Sequence, residues 1–167
     1  MNQQANRSPD DNNQYEVETY ISRELSPAEL EACSAIIVDG GAVDANAMRR
    51  NLPNCIGFAI ARTGGQIVGV GAIKAVRTDY TARVAKNGGV DLPPHTSELG
   101  YVAVHRDHRN RGLAQRIATA LASRCAGRLF ATTDEEWMKR ILSKAGFVKK
   151  GKEWKGRRGN LSYWEKL

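Results

Sequence analysis

The spacing of apolar positions changes several times along the chain, and each change marks an element. Ile56, Phe58 and Ile60 alternate with their neighbours, as do Val68, Val70 and Ala72, and Thr63-Gly64-Gly65 lies between the two runs. A period of two with a glycine-rich break predicts a β-hairpin. Glu98 to Val104 alternates again and reads as a strand. The period then lengthens: Leu113, Ile117 and Leu121 recur every four residues, with Ala114, Ala118 and Cys125 beside them, which predicts a helix from about Gly112 to Cys125. Ahead of the hairpin, Ser26-Pro27-Ala28-Glu29 supplies a cap residue, a proline for the first helical position and an acidic first turn. Ala32, Ile36 and Ile37 carry that helix to a stop at Gly40-Gly41.

Weaker signals fill the gaps. A strand can begin near Tyr15, Asp44 to Asn51 reads as a short helix ending before Pro53, and Arg128 to Thr133 as a short strand. Asp134 is placed to cap a last helix carrying Met138, Ile141, Leu142 and Ala145, closed by Gly146. Strands near Phe147 to Trp154 and Leu161 to Lys166 finish the chain. From Arg77 to Thr96 the sequence is polar, with Gly88-Gly89 and Pro93-Pro94, and reads as a long loop of the kind that often serves function. Interleaved strands and helices predict an α/β (α+β) class around one mixed sheet.

A length of 167 residues suits one domain, here 15–167, preceded by a polar tail, 1–14, with almost nothing to bury. The longest apolar run, Cys55 to Ala61, is far short of the roughly 18 residues of a membrane helix, and no basic-then-apolar leader opens the chain, so a cytoplasmic protein is the default expectation. Cys33, Cys55 and Cys125 are too few and too scattered for a zinc cluster or a disulfide framework and read as buried thiols. No metal site is expected.

Charge adds a direction. Residues 1–100 carry 9 Lys/Arg against 12 Asp/Glu, whereas residues 101–167 carry 16 against 6. A C-terminal part that is net positive by 10 points to a polyanionic partner: a phosphorylated cofactor, a nucleic acid or an acidic protein surface. The stretch His105-Arg106-Asp107-His108-Arg109-Asn110-Arg111-Gly112-Leu113-Ala114 stands between a strand and a helix. A helix N-terminus offers unpaired N–H groups and partial positive charge, and arginines beside a glycine turn make it suitable for a pyrophosphate. Neither Gly-x-x-x-x-Gly-Lys-Ser/Thr nor Gly-x-Gly-x-x-Gly occurs, which argues against NTP hydrolysis and dinucleotide binding.

Arg109 to Ala114 resembles the Gln/Arg-x-x-Gly-x-Gly/Ala signature of the GNAT acetyltransferase superfamily. Glu98 to Val104 before it and Leu142-Ser143-Lys144-Ala145-Gly146-Phe147 after it add to the likeness, the latter resembling the family's closing helix and Gly-Phe turn. The resemblance implies a GNAT fold with a mostly antiparallel twisted sheet and about four flanking helices, acetyl-CoA as cofactor, and direct transfer of acetyl to a primary amine. It also implies that main chain around Val102, Ala103 and Val104 pairs with the pantetheine arm and that Arg109, Asn110, Arg111, Gly112, Leu113 and Ala114 hold the pyrophosphate. Glu98, expected on the same strand face as Gly100, Val102 and Val104, matches a glutamate that takes a proton from the attacking amine through water. An amine near pKa 10.4 is almost wholly protonated at pH 7, so a base is needed. The family's usual acid is a tyrosine where this chain has Leu142, leaving Ser143, Tyr163 or a water as candidates, and Arg106 stands where relatives commonly place proline.

Other readings stay open. His105 and His108 read as surface residues at the phosphate turn, and Trp137, Trp154 and Trp164 as core anchors. Lys149 to Arg158 holds six basic residues and one acid around Trp154. It reads equally as a nucleic-acid or acidic-macromolecule contact and as a solvated hairpin that attracts the cofactor. The resemblance implies that this last strand pair borders the acceptor site, where a basic hairpin disfavours cationic small amines and leaves an aminoacyl-tRNA amine, a protein or an acidic metabolite. A nucleic-acid-binding module and a non-catalytic acyl-CoA-binding protein are the alternatives, and a homodimer is compatible with either.

Overall fold

The computed structural model describes residues 14–21 and 23–167. Of the expected tail, residues 1–13 lie outside the described residues and Gln14 is exposed. The elements run β1 (Glu16–Ile21), α1 (Pro27–Asp39), α2 (Ala45–Asn51), β2 (Gly57–Thr63), β3 (Gln66–Lys74), α3 (Thr78–Gly88), β4 (Ser97–Val104), α4 (Leu113–Arg124), β5 (Leu129–Thr133), α5 (Glu136–Lys144), β6 (Val148–Lys155) and β7 (Asn160–Lys166). One seven-stranded sheet has the order β1-β2-β3-β4-β5-β7-β6, in which only β4 and β5 run parallel.

Local chemistry accounts for most boundaries. Ser26 and Glu29 form a reciprocal capping box at α1, Asp44 caps α2 through the Ala47 N–H, and Gly64-Gly65 turns the β2–β3 hairpin with both residues at positive φ, as a tight hairpin requires. Asp134 does not cap α5: Glu135 holds the cap position without a side-chain bond, and Asp134 is taken by Arg158 at 2.7 Å.

The expected long loop from Arg77 to Thr96 contains α3, so the α-helices among the described residues number five. Thr81, Val84 and Gly88 are its buried positions, spaced three and four apart, and Gly89 in the left-handed region ends it. The stripe holds a single large aliphatic side chain, because its packing partners, Phe130, Tyr163 and Trp154, come from β5, β7 and β6.

Two layers of core enclose the sheet. One face packs Ile73, Leu99, Val104, Leu129 and Ala131 against α4 and α5, and the other packs Phe58, Ile60, Val70 and Ala72 under α1 and α2, with α3 beyond them over Phe130 and Tyr163. Leu113, Ile117 and Leu121 are each at most 2% exposed, as the helical period predicts.

Midway along β4 the pairing with β3 jumps: Ala72 faces Gly100 and Val70 faces Ala103, so β4 carries one extra residue, and Tyr101 takes φ 54°. A bulge of this kind shifts the side-chain alternation by one. Leu99 and Val102 consequently share the α4 face, while Tyr101 and Ala103 face α1. Glu98 therefore does not share a face with Val102 and Val104, contrary to the unbroken alternation read from sequence.

Candidate active site

Pairing between β4 and β5 covers only Ser97 with Leu129 and Glu98 with Phe130. Beyond that point the strands part, and the β5-facing edge of β4 loses its strand partner. A cleft of about 700 Å³ opens there. Tyr101 to Val104 form its floor, Ile37, Gly40, Ala42 and Val43 one wall, and Trp137, Arg140, Ile141 and Lys144 of α5 the other. The first turn of α4 and the preceding loop close one end with His108, Arg109, Asn110, Gly112, Leu113 and Ala114.

The loop is built so that its main chain approaches the cleft. Gly112 caps α4 at φ 75°, with nothing within 4 Å of where a Cβ would stand, and Asn110 is also left-handed at φ 62°. The first N–H groups of α4 thus point at open space with the helix dipole behind them. Arg109 folds back to donate from Nε to the Val104 carbonyl at 3.1 Å, with Nη2 3.7 Å from Asp39. Arg106 also pairs with Asp39 and holds that carboxyl below its usual range. His108 lines the cleft rather than the outer surface, and its Nδ1 is 2.9 Å from the Tyr15 hydroxyl. Arg109, Arg140 and Lys144 bring cations to the cleft, whose one lining acid, Glu135, is engaged by Arg158 at 2.8 Å.

A strand edge without a strand partner, running into a helix start with open N–H groups, is what a ligand with an extended amide arm and a diphosphate requires. The sequence profile of the Acetyltransferase (GNAT) family matches residues 19–147. The chain belongs to the GNAT acetyltransferase family. Among solved structures, a GNAT acetyltransferase from Streptococcus agalactiae has 16% identity and a TM-score of 0.68, over 90% of this chain and 95% of that one. The yncA protein of Salmonella typhimurium, solved with acetyl-CoA, has 17% identity and a TM-score of 0.60 over 91% and 94%. A ribosomal-protein-alanine N-acetyltransferase from Brucella melitensis has 22% identity and a TM-score of 0.62 over 87% and 98%. At these identities the likeness is one of fold. No curated protein matches the sequence.

This GNAT enzyme uses acetyl-CoA, and the cleft fits it: the approach at Gly112 is open, and beyond Glu98 the β5-facing edge of β4 has no strand partner among the described residues. Of the residues expected to hold the cofactor, Val102, Ala103, Val104, Arg109, Asn110, Gly112, Leu113 and Ala114 line one cleft, and Arg111 is exposed outside its lining. Tyr101, His108, Trp137, Arg140 and Lys144 were not foreseen there. Trp137 is 39% exposed, unlike the buried Trp164. The spacing 137, 140, 144 repeats a helical face distinct from that of Met138 and Leu142, and this is the signal that could have found it.

The three residues named for catalysis are dispersed. Glu98 is 7% exposed where β4 and β5 begin to part, and Lys74 Nζ lies 3.2 Å from its Oε1. Burial opposes the charge on Lys74, but Glu98 outweighs it and holds the ammonium above its usual range. Ser143 is exposed and does not line the cleft. Tyr163 is fully buried against Phe130 and donates to Glu165 Oε2 at 2.9 Å, and burial pushes its pKa up. It does not line the cleft either. Leu142 is fully buried in the core.

Four of the six basic residues of the hairpin are ion-paired. Lys149 pairs with Glu153 at 2.9 Å, Lys150 with Glu165, Arg157 with Asp44 at 3.6 Å, and Arg158 with Asp134 and Glu135. Among the described residues no helix is long and apolar enough to cross a membrane.

Proposed function

We propose that this acetyltransferase passes acetyl directly from acetyl-CoA to a primary amine, with Glu98 as the base. The observation that carries the reading is the position of Glu98, a carboxylate set at the point where β4 and β5 part, beside the bulge that begins the cleft floor. When bound, acetyl-CoA supplies the acetyl group as a thioester. The main-chain edge of Val102 to Val104, which lacks a strand partner, aligns its amide arm, and the α4 N-terminus with Arg109 to Ala114 holds its pyrophosphate. Glu98 removes the proton that makes an ammonium unreactive. No side chain need protonate the departing thiolate, whose conjugate acid has a pKa of about 8.5, so the inward-facing core residue Leu142 and the remote Ser143 and Tyr163 do not block the reaction. Ion pairing across the Lys149 to Arg158 hairpin favours an enzyme over a nucleic-acid-binding module.

Glu98→Gln tests the role. It keeps the hydrogen bond to Lys74 and removes the base, so kcat should fall by about a hundredfold or more while acetyl-CoA affinity holds. Equal turnover would remove Glu98 from the mechanism.

A further inference from the structure

Around Glu98, on the sheet face that carries α3, lies a charged group that the cofactor does not need. Lys74 and Glu98 stand directly opposite each other on β3 and β4. The Lys74 ammonium sits 4.4 Å from the centre of the Tyr101 ring and lies across Gly100, where a Cβ would come within 2.6 Å of Cε and 3.0 Å of Nζ. Gly100 is therefore the residue that lets the lysine stem cross β4. From α3, Tyr80 reaches over the parting strands, its hydroxyl 3.2 Å from Thr132 Oγ1 on β5. Arg77 and Arg83 lie over the same Tyr80 ring at 4.7 and 5.7 Å from its centre. Among the described residues neither guanidinium has a carboxylate partner.

One carboxylate thus pairs with one ammonium where β4 and β5 part, with the Tyr101 and Tyr80 rings nearby and two guanidiniums over the latter. A pair buried to this degree is poor at stabilising a fold, since removing two charges from water offsets their attraction. An acceptor that was only an ammonium would have to take Glu98 from Lys74, leaving the lysine unpaired. An acceptor carrying both charges exchanges one ion pair for two.

We propose that the acceptor is an amine with a carboxylate on the neighbouring carbon, an α-amino acid, whose ammonium is received by Glu98 and whose carboxylate is received by Lys74 and Arg77. Tyr80 and Tyr101, whose rings these cations cover, border its side chain. This rests on the reading of Glu98 as base. The ammonium gives one proton to Glu98, and the lone pair so freed forms the C–N bond to the acetyl carbon. The C–S bond breaks with its electron pair on sulfur. A second proton passes from nitrogen to the thiolate through water, and Glu98 returns its proton to solvent. Amino acid and thioester become N-acetylamino acid, thiol and one released proton.

The test is a matched panel with acetyl-CoA: phenylalanine against phenethylamine, methionine against 3-(methylthio)propylamine, glutamate against 4-aminobutyrate, read by thiol release and product mass. The expected result is a kcat/KM at least about tenfold higher for one or more amino acids than for the matched amine, the scale of one charge-assisted hydrogen bond. Lys74→Met and, independently of core packing, Arg77→Gln should raise KM for the amino acid and erase the preference while leaving the acetyl-CoA Kd unchanged. Equal or better use of the decarboxylated amines, or a preference that survives both substitutions, would overturn the proposal and leave the acetyltransferase reading standing. Acetyl-CoA binding with transfer to no amine of either set would overturn both.

Discussion

Replacing Gly112 separates two reasons why that position is glycine. Its φ is 75° and no atom lies within 4 Å of a Cβ built there, so a side chain would enter the cleft without a clash. Asn and Asp are alike in size and both tolerate the left-handed region better than most residues. They differ by one charge. A carboxylate about 4 Å from a phosphate costs about 1 kcal/mol at the dielectric of water and about 4 kcal/mol at that of a protein surface. At the mouth of an open cleft, with two phosphates to meet, about 3 kcal/mol is a fair value, or about a hundredfold in Kd. The carboxylate would also occupy the α4 dipole that the ligand uses. Calorimetric titration of acetyl-CoA should place Gly112→Asn within about fivefold of the parent and Gly112→Asp about a hundredfold weaker, with the gap narrowing at high salt as screening sets in. Equal weakening in both would make space or φ the cause. Parent-like binding of Gly112→Asp would take the pyrophosphate away from this turn.

Two further outcomes test the frame around the site. Glu165 is 3% exposed and accepts from Tyr163, Arg128 and Lys150; burial works against its charge, yet those donors hold its pKa down to about 2 from 4.5. A depressed carboxylate stabilises the fold above its unfolded pKa and loses that contribution as pH falls through the folded one. At about 1.4 kcal/mol per unit the limit is about 3 kcal/mol, and about 2 kcal/mol after screening at half-exposed Lys150. Urea unfolding of Glu165→Gln should show that loss at neutral pH and a flatter fall between about pH 4.5 and 2; an unchanged pH dependence would refute the assignment. Gly71→Ala would bring a Cβ within 2.5 Å of Ile117 Cγ2, so α4 must move off the sheet. An unfolding free energy in urea lowered by about 1–3 kcal/mol is expected, and a neutral result would show that α4 has slack there.

What could be read from sequence was what is decided locally. The hairpin follows from alternation and Gly64-Gly65, α4 from its four-residue spacing, and α1 from a cap box within four residues. The features that were not legible depend on partners far along the chain. α3 buries little of its own and forms because Tyr163, Phe130 and Trp154 cover it. The β4 bulge rests on Tyr101, a residue type that does not advertise positive φ, and it alone reverses which side chains accompany Glu98. Lys74 and Arg77 carried no motif, and they meet Glu98 and Tyr80 only through strand register and the helix that sequence left as loop. Pairs across long separations, Arg157 with Asp44 and Arg158 with Asp134, also hid that part of the hairpin's basic charge is already partnered.

The most direct measurement follows the acetyl group itself. Acetyl-CoA labelled with carbon-13 at the acetyl carbonyl, incubated with the protein and the amine panel, is watched by NMR. Direct transfer predicts that the thioester signal gives way to an amide signal on the acceptor, with thiol released in equal amount and no label on the protein. A thioester signal that persists, or label that settles on a protein side chain before it reaches any amine, would contradict the account.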